Sequence, residues 1–186
     1  MKPLAVHLWP GPTPAPQDGL FAILIRTAPS PALREAARRG IRLAAREALA
    51  AVLRIPVADI AIASTPGAPP RILLAGAPSR IGISISHETG HSLAAINLRG
   101  PIGADLMYVQ AIPDWPAIAR DYLGPKAAGL KTPAEYTQAW TQREAALKCH
   151  AQQISEWQAD LPGEAIPLVL PVAELVGHIH IGDRSA

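Results

Sequence analysis

Apolar residues along the chain follow two rhythms. Phe21 to Arg26 (FAILIR) is an apolar run of strand length after Gly19, and it predicts a buried strand. From Ser30 the rhythm turns helical. Ser30 is a candidate N-cap with Pro31 at the first helical position, and Ile41, Ala45, Ala48, Leu49 and Val52 recur at helical spacing up to about Leu53. On this segment Arg34, Arg38, Arg42 and Arg46 recur every four residues. Arginine stems cover apolar surface while their heads stay in water, so the row reads as a solvated face able to offer one or two guanidiniums to phosphate. Asp59 to Ala63 and Arg80 to Ser86 read as strands, the second alternating Ile81, Ile83 and Ile85 with Gly82, Ser84 and Ser86. Ser92 to Asn97 reads as a return strand. After the Arg99-Gly100-Pro101 break comes Ile102 to Val109, an apolar run holding one acid, Asp105. Helical segments follow from about Asp114 to Tyr122 and Pro133 to Gln153, then strands near Pro167 to Leu170 and His178 to Ile181.

A strand, then helix, then strands is thus expected twice, without a repeat in the sequence itself. This predicts an α+β chain of two similar halves, residues 1–100 and 101–186, with a ligand cleft between them. The 186 residues are 49% hydrophobic, enough for one large or two small packed units, which excludes a wholly disordered chain. Seventeen Lys plus Arg against 15 Asp plus Glu leave a formal charge of +2, too balanced for a dedicated nucleic-acid binder, so any anion site is local. Thirteen of those cations are Arg, which favours fork-shaped contacts to phosphate or carboxylate. A single cysteine, Cys149, excludes an intrachain disulfide or a multi-cysteine zinc site. Pro10, Pro12, Pro14 and Pro16 interrupt any signal-peptide core, and no stretch reaches the roughly 18 apolar residues of a membrane helix. A soluble, cytoplasmic monomer is expected.

His87-Glu88-Thr89-Gly90-His91 is a literal H-E-x-x-H. In zinc hydrolases that spacing works because two histidines one helical turn apart chelate from one face, with the Glu as general base. Here the motif follows an alternating strand and carries Gly90 inside the would-be helix, at a cost of about 1 kcal/mol. The zinc reading is therefore the remote one. Trp140, Glu144 and Lys148 are four residues apart and share one helix face, where a Glu four residues before a Lys has the favoured orientation for an ion pair. Asp105 adds a second acid in a strand, where an unpaired carboxylate is expensive to bury. A strand Asp and a helix Glu, completed by waters and phosphate oxygens, suit Mg²⁺.

Ile83-Ser84-Ile85-Ser86-His87, Ile102-Gly103-Ala104-Asp105 and Trp140 through Lys148, in this order and at this spacing, resemble three motifs of the 4′-phosphopantetheinyl transferases of the Sfp type. The resemblance covers about residues 20–150. It implies the fold of that family, two α+β halves related by a pseudo-twofold with the ligand cleft between them. It also implies transfer of phosphopantetheine from coenzyme A to a serine hydroxyl of an acyl or peptidyl carrier protein, with release of 3′,5′-ADP. In that scheme Asp105 and Glu144 bind Mg²⁺, and Glu144 also deprotonates the serine. Lys148 sits on the pyrophosphate, His87 and Arg46 hold the 3′-phosphate and adenylate end of CoA with Arg71 as a nearby basic contact, and Ser86 also belongs to the CoA-binding set.

The chain departs from the family pattern at two informative places. Met107 stands where a second strand acid is usual, leaving two protein carboxylates, and Glu88 places a negative charge beside the expected phosphate site. These departures motivate a rival reading, a non-catalytic member of the same fold that binds CoA or a carrier protein without turnover.

Overall fold

The computed structural model describes residues 2–65 and 67–182; the ends of the two expected halves, Met1 and 183–186, lie outside the described residues. Nine strands and three α-helices follow in the order β1 Leu4–Leu8, β2 Leu20–Arg26, α1 Arg34–Leu53, β3 Ile60–Ala63, β4 Arg71–Leu74, β5 Ala77–Glu88, β6 His91–Asn97, β7 Ile102–Tyr108, α2 Trp115–Tyr122, α3 Pro133–Cys149, β8 Glu164–Val169 and β9 Leu175–Ile181. The protein is mixed α+β. All strands join one sheet of order β3-β4-β5-β6-β2-β1-β8-β9-β7.

Two antiparallel trios stand out in that order. In the first, β2 leads through α1 to the β5–β6 hairpin, and β6 pairs back onto β2. In the second, β7 leads through α3 to the β8–β9 hairpin, and β9 pairs back onto β7. Between them lies β1, parallel to both β2 and β8. The sheet folds back on itself, so that β7 lies against β5 without pairing to it.

Burial explains the composition of the strands. Leu20, Ala22 and Leu24 of β2 point into the core between the trios, with Leu93, Ala95, Ile102, Ala104, Leu106, Ile179 and Ile181. Phe21 and Ile23 point the other way, into a second core against Ile41, Ala45, Ala48 and Leu49 of α1. A strand covered on both faces reads as an unbroken apolar run, which is why FAILIR shows no alternation.

Several expected boundaries shift. Ser30 does not cap α1 through its side chain: a 3-10 turn over Pro31–Leu33 comes first, Leu33 N donates to Ser30 O, and the α-helix starts at Arg34. The last expected helix stops at Cys149, not Gln153, because Ala151 adopts φ 54° and Gln152 N turns back to Leu147 O. Its start is the more regular end, with Thr132 and Glu135 forming a reciprocal capping box. β1 and β4 were not expected. No helix among the described residues is long and apolar enough to cross a membrane.

Candidate functional site

Alternation along β7 builds the site. Ile102, Ala104 and Leu106 face the core between the trios, so Gly103, Asp105 and Met107 face α3. A Cβ at Gly103 would collide with the Ala145 carbonyl oxygen and the Cys149 nitrogen, so α3 lies with its backbone directly on the strand. That close approach brings the helix face carrying Glu144 and Lys148 to Asp105, two residues along.

Asp105 is buried, and its Oδ1 accepts two hydrogen bonds: from Ser86 Oγ at 2.9 Å and from Lys148 Nζ at 2.6 Å. Lys148 is its ion-pair partner, with a third of its own side chain exposed. Oδ2 makes no hydrogen bond among the described residues. Glu144 lies one helical turn before Lys148. Burial pushes its pKa up and the Asp105 charge pushes it further, while Lys148 and Arg143 pull it down. A carboxylate whose proton affinity is raised by a second carboxylate nearby is a group that a divalent cation would stabilise in its charged form. Among the described residues no three His, Cys, Asp or Glu side chains converge on a metal position. An ion held by Asp105 and Glu144 would have to take its remaining ligands from solvent or substrate oxygens.

The small, polar side of β5 is the seam to β7. A Cβ at Gly82 would strike the Gly100 carbonyl, Ser84 Oγ accepts from Ala104 N at 2.9 Å, and Ser86 reaches Asp105. His87, the next residue, turns to the other side, where its Nδ1 meets Ser92 Oγ at 2.8 Å. Burial lowers the His87 pKa, and the nearby charges of Arg38, Arg42 and Lys148 lower it further. These four side chains line one cleft of about 710 Å³, together with Ile83 and Ile85. A neighbouring hollow of about 350 Å³ shares Arg38 and His87 and adds Arg34 and Thr89. Glu35 also lines the cleft and pairs with Arg38 at 3.8 Å, but Arg42 and Lys148 leave a cationic surplus there, and Lys148 links the cleft to Asp105, an arrangement suited to an anionic ligand.

Of the residues singled out from sequence, Ser86, His87, Asp105, Glu144 and Lys148 are brought together. Arg46 and Arg71 are not. Arg46 Nη2 donates to the Val57 carbonyl at 3.2 Å and does not line the cleft; Arg42 and Arg38, about one and two turns earlier, do. Arg71 is exposed at the start of β4, outside the cleft. Glu88 faces away from His87: its Oε1 accepts from Thr89 N and its Oε2 from Tyr108 N, so its charge is spent on the hairpin and on β7. Met107 packs with Trp115, Tyr136 and Trp140, and no carboxylate takes its place.

The zinc motif fails on geometry. Thr89 and Gly90 form the two-residue turn of the β5–β6 hairpin, with His87 opposite Ser92 and Glu88 opposite His91, so the two imidazoles point to opposite faces. His91 Nδ1 instead meets the Tyr108 hydroxyl at 3.1 Å.

One neighbour was missed. His178 on β9 lies directly across from Asp105. Thr141 donates its hydroxyl proton to Gln138 O, so the 2.8 Å contact with His178 Nδ1 requires the imidazole to donate there, leaving Nε2 unprotonated. Burial lowers the His178 pKa to about 4, which keeps the ring neutral. The only signal in the sequence was the alternation of His178 and His180 with Ile179 and Ile181. No family model matches this chain, and no curated protein is significantly similar to it.

Proposed function

We propose that the protein is a magnesium-dependent 4′-phosphopantetheinyl transferase acting on an acyl or peptidyl carrier protein. The observation that carries this reading is the junction of two opposite features: the Asp105–Glu144 carboxylate pair with Lys148, and the cleft walled by Arg38, Arg42 and His87. Coenzyme A carries the matching charges, a diphosphate in the middle and a 3′-phosphate at the adenosine end. The paired strand-helix-hairpin trios also fit the pseudo-twofold architecture of that family.

In this scheme Arg38, Arg42 and His87 hold the 3′-phosphate, in place of the expected Arg46 and Arg71. Mg²⁺ held by Asp105 and Glu144 would neutralise the diphosphate. Ser86 fixes the Asp105 carboxylate through its hydroxyl, and Gly103 fixes the helix against the strand. Glu144, whose proton affinity is raised, takes the proton of the carrier serine, directly or through a water. The serine oxygen attacks the phosphorus that bears pantetheine. The bond between that phosphorus and the bridging oxygen breaks, and Lys148 stabilises the charge leaving on 3′,5′-ADP.

Met107 favours a second reading, a CoA-binding module without turnover, because the family's second strand acid is replaced by a side chain packed among aromatics. Intact-mass spectrometry separates the two. Incubation with CoA, Mg²⁺ and apo carrier proteins from fatty-acid, polyketide and peptide synthesis should add about 340 Da, the mass of the transferred group, to at least one carrier. CoA binding with every carrier left unmodified would support the binding module instead.

A further inference from the structure

Lys148 already occupies the carboxylate that the metal needs. Its ammonium lies 2.6 Å from Asp105 Oδ1, the oxygen that also accepts from Ser86, and it is the only cationic side chain in contact with Asp105 among the described residues. Asp105, Glu144 and Lys148 together carry one formal net negative charge. A divalent ion entering that set would share Asp105 with an ammonium at contact distance, and like charges that close repel strongly in a partly buried site. A second strand acid would have tipped the balance toward the ion, but position 107 holds a methionine packed against Trp115 and Trp140. A diphosphate changes the sum: it gives Lys148 a new partner and supplies the ion with oxygens.

From this geometry, and resting on the function proposed above, we infer that Lys148 is an internal counter-ion that keeps the carboxylate pair metal-poor until a diphosphate-bearing substrate draws it away. Metal and CoA then bind with positive coupling, each strengthening the other by the same factor. Lys148 is suited to this exchange. Its stem is flexible, and a third of the side chain is exposed on the cleft wall, so the ammonium can leave Asp105 for a ligand in the cleft without disturbing α3. Arg143 offers a contrast. Its charge also acts on Glu144, yet its Nη1 is tied to the Ala159 carbonyl at 3.1 Å and it has no contact with Asp105.

The test is Mn²⁺ binding to the metal-free protein, followed by the electron paramagnetic resonance signal of free Mn²⁺, with CoA absent. Lys148→Gln should bind Mn²⁺ about tenfold more tightly than the wild type, a coupling of the usual allosteric size, and Arg143→Gln should stay within about twofold. Melting temperatures with and without Mn²⁺ provide a second readout, because a ligand that binds only the folded state raises them; they also show that each variant is folded. In the wild type, added CoA should strengthen Mn²⁺ binding about tenfold or more. If Lys148→Gln binds no more tightly than the wild type, or if Arg143→Gln gains as much, the counter-ion role is wrong. CoA binding measured at saturating Mg²⁺ reports separately on the proposed function: its absence would remove CoA as the ligand, while a gain of Mn²⁺ affinity in Lys148→Gln would still stand.

Discussion

The two long helices cover equivalent trios in opposite ways. α1 packs against its strands through large hydrocarbon, with Ile41 and Leu49 meeting Phe21, Ile23, Ile83 and Ile96. With those side chains between it and the sheet, it presents Arg38 and Arg42 to the cleft. α3 has no such layer at its centre. It sits on Gly103 with Ala145 beneath it and buries Thr137 and Thr141, so its polar side chains are trapped against β7 and β9. The contrast is between a scaffold face and a reactive one. A hydrocarbon spacer leaves charges in water, whereas backbone contact forces charges to pair with one another, as Asp105 and Lys148 do.

The largest expected effect breaks the reactive face at its closest point. Gly103→Val drives a branched side chain into the α3 backbone and should destabilise the fold by more than about 4 kcal/mol in urea unfolding, the range reserved for severe core defects. Next is acid. His178 titrates near 6.5 when unfolded and at about 4 when folded, so the unfolded chain binds the extra proton as pH falls through that window. Stability from this residue is intact above pH 6.5 and declines between about 6.5 and 4, by roughly 3 kcal/mol in all. Urea melts across this range should show the loss, and His178→Asn, which retains a donor for Thr141, should flatten it.

On the scaffold face the effects are smaller. Arg38→Ala combined with Arg42→Ala should raise the CoA Michaelis constant about tenfold with little change in turnover, because those contacts are remote from the reacting phosphorus. Arg46→Ala should leave that constant unchanged, since its guanidinium is committed to Val57. The smallest is Gly40→Ala on α1. A Cβ there meets only the Ile25 side chain at 3.4 Å, so better helix propensity should leave stability unchanged or raise it by up to about 1 kcal/mol.

Much of this contrast was legible in the sequence where a period was long enough to read. α1 and β5 each carry a repeating apolar signal, and β2 and β7 each carry an apolar run of strand length. β1 and β4 have five and four residues, the first just ahead of a proline run, and too few positions to show a rhythm. Within the site, Asp105, Glu144 and Lys148 were found because an acid in an apolar strand and a Glu-Lys pair on a helix are unusual in themselves. The arginine row could not be ranked, because four members at one spacing differ only in which turn faces a neighbouring loop. That depends on the β3–β4 connection and on β5, whose packing against α1 no local pattern encodes. His178 was missed for a similar reason: its role comes from a cross-strand register with Asp105, more than seventy residues away in sequence.

The measurement closest to the core of this account is the rate of phosphopantetheine addition to a carrier protein by the wild type, Glu144→Gln and His91→Ala, read as intact carrier mass over time. The wild type and His91→Ala should modify the carrier at similar rates, and Glu144→Gln should lose at least about a hundredfold, the usual scale for removing a general base. A Glu144→Gln protein as fast as the wild type, or a loss confined to His91→Ala, would contradict the assignment of the chemistry to the carboxylate pair.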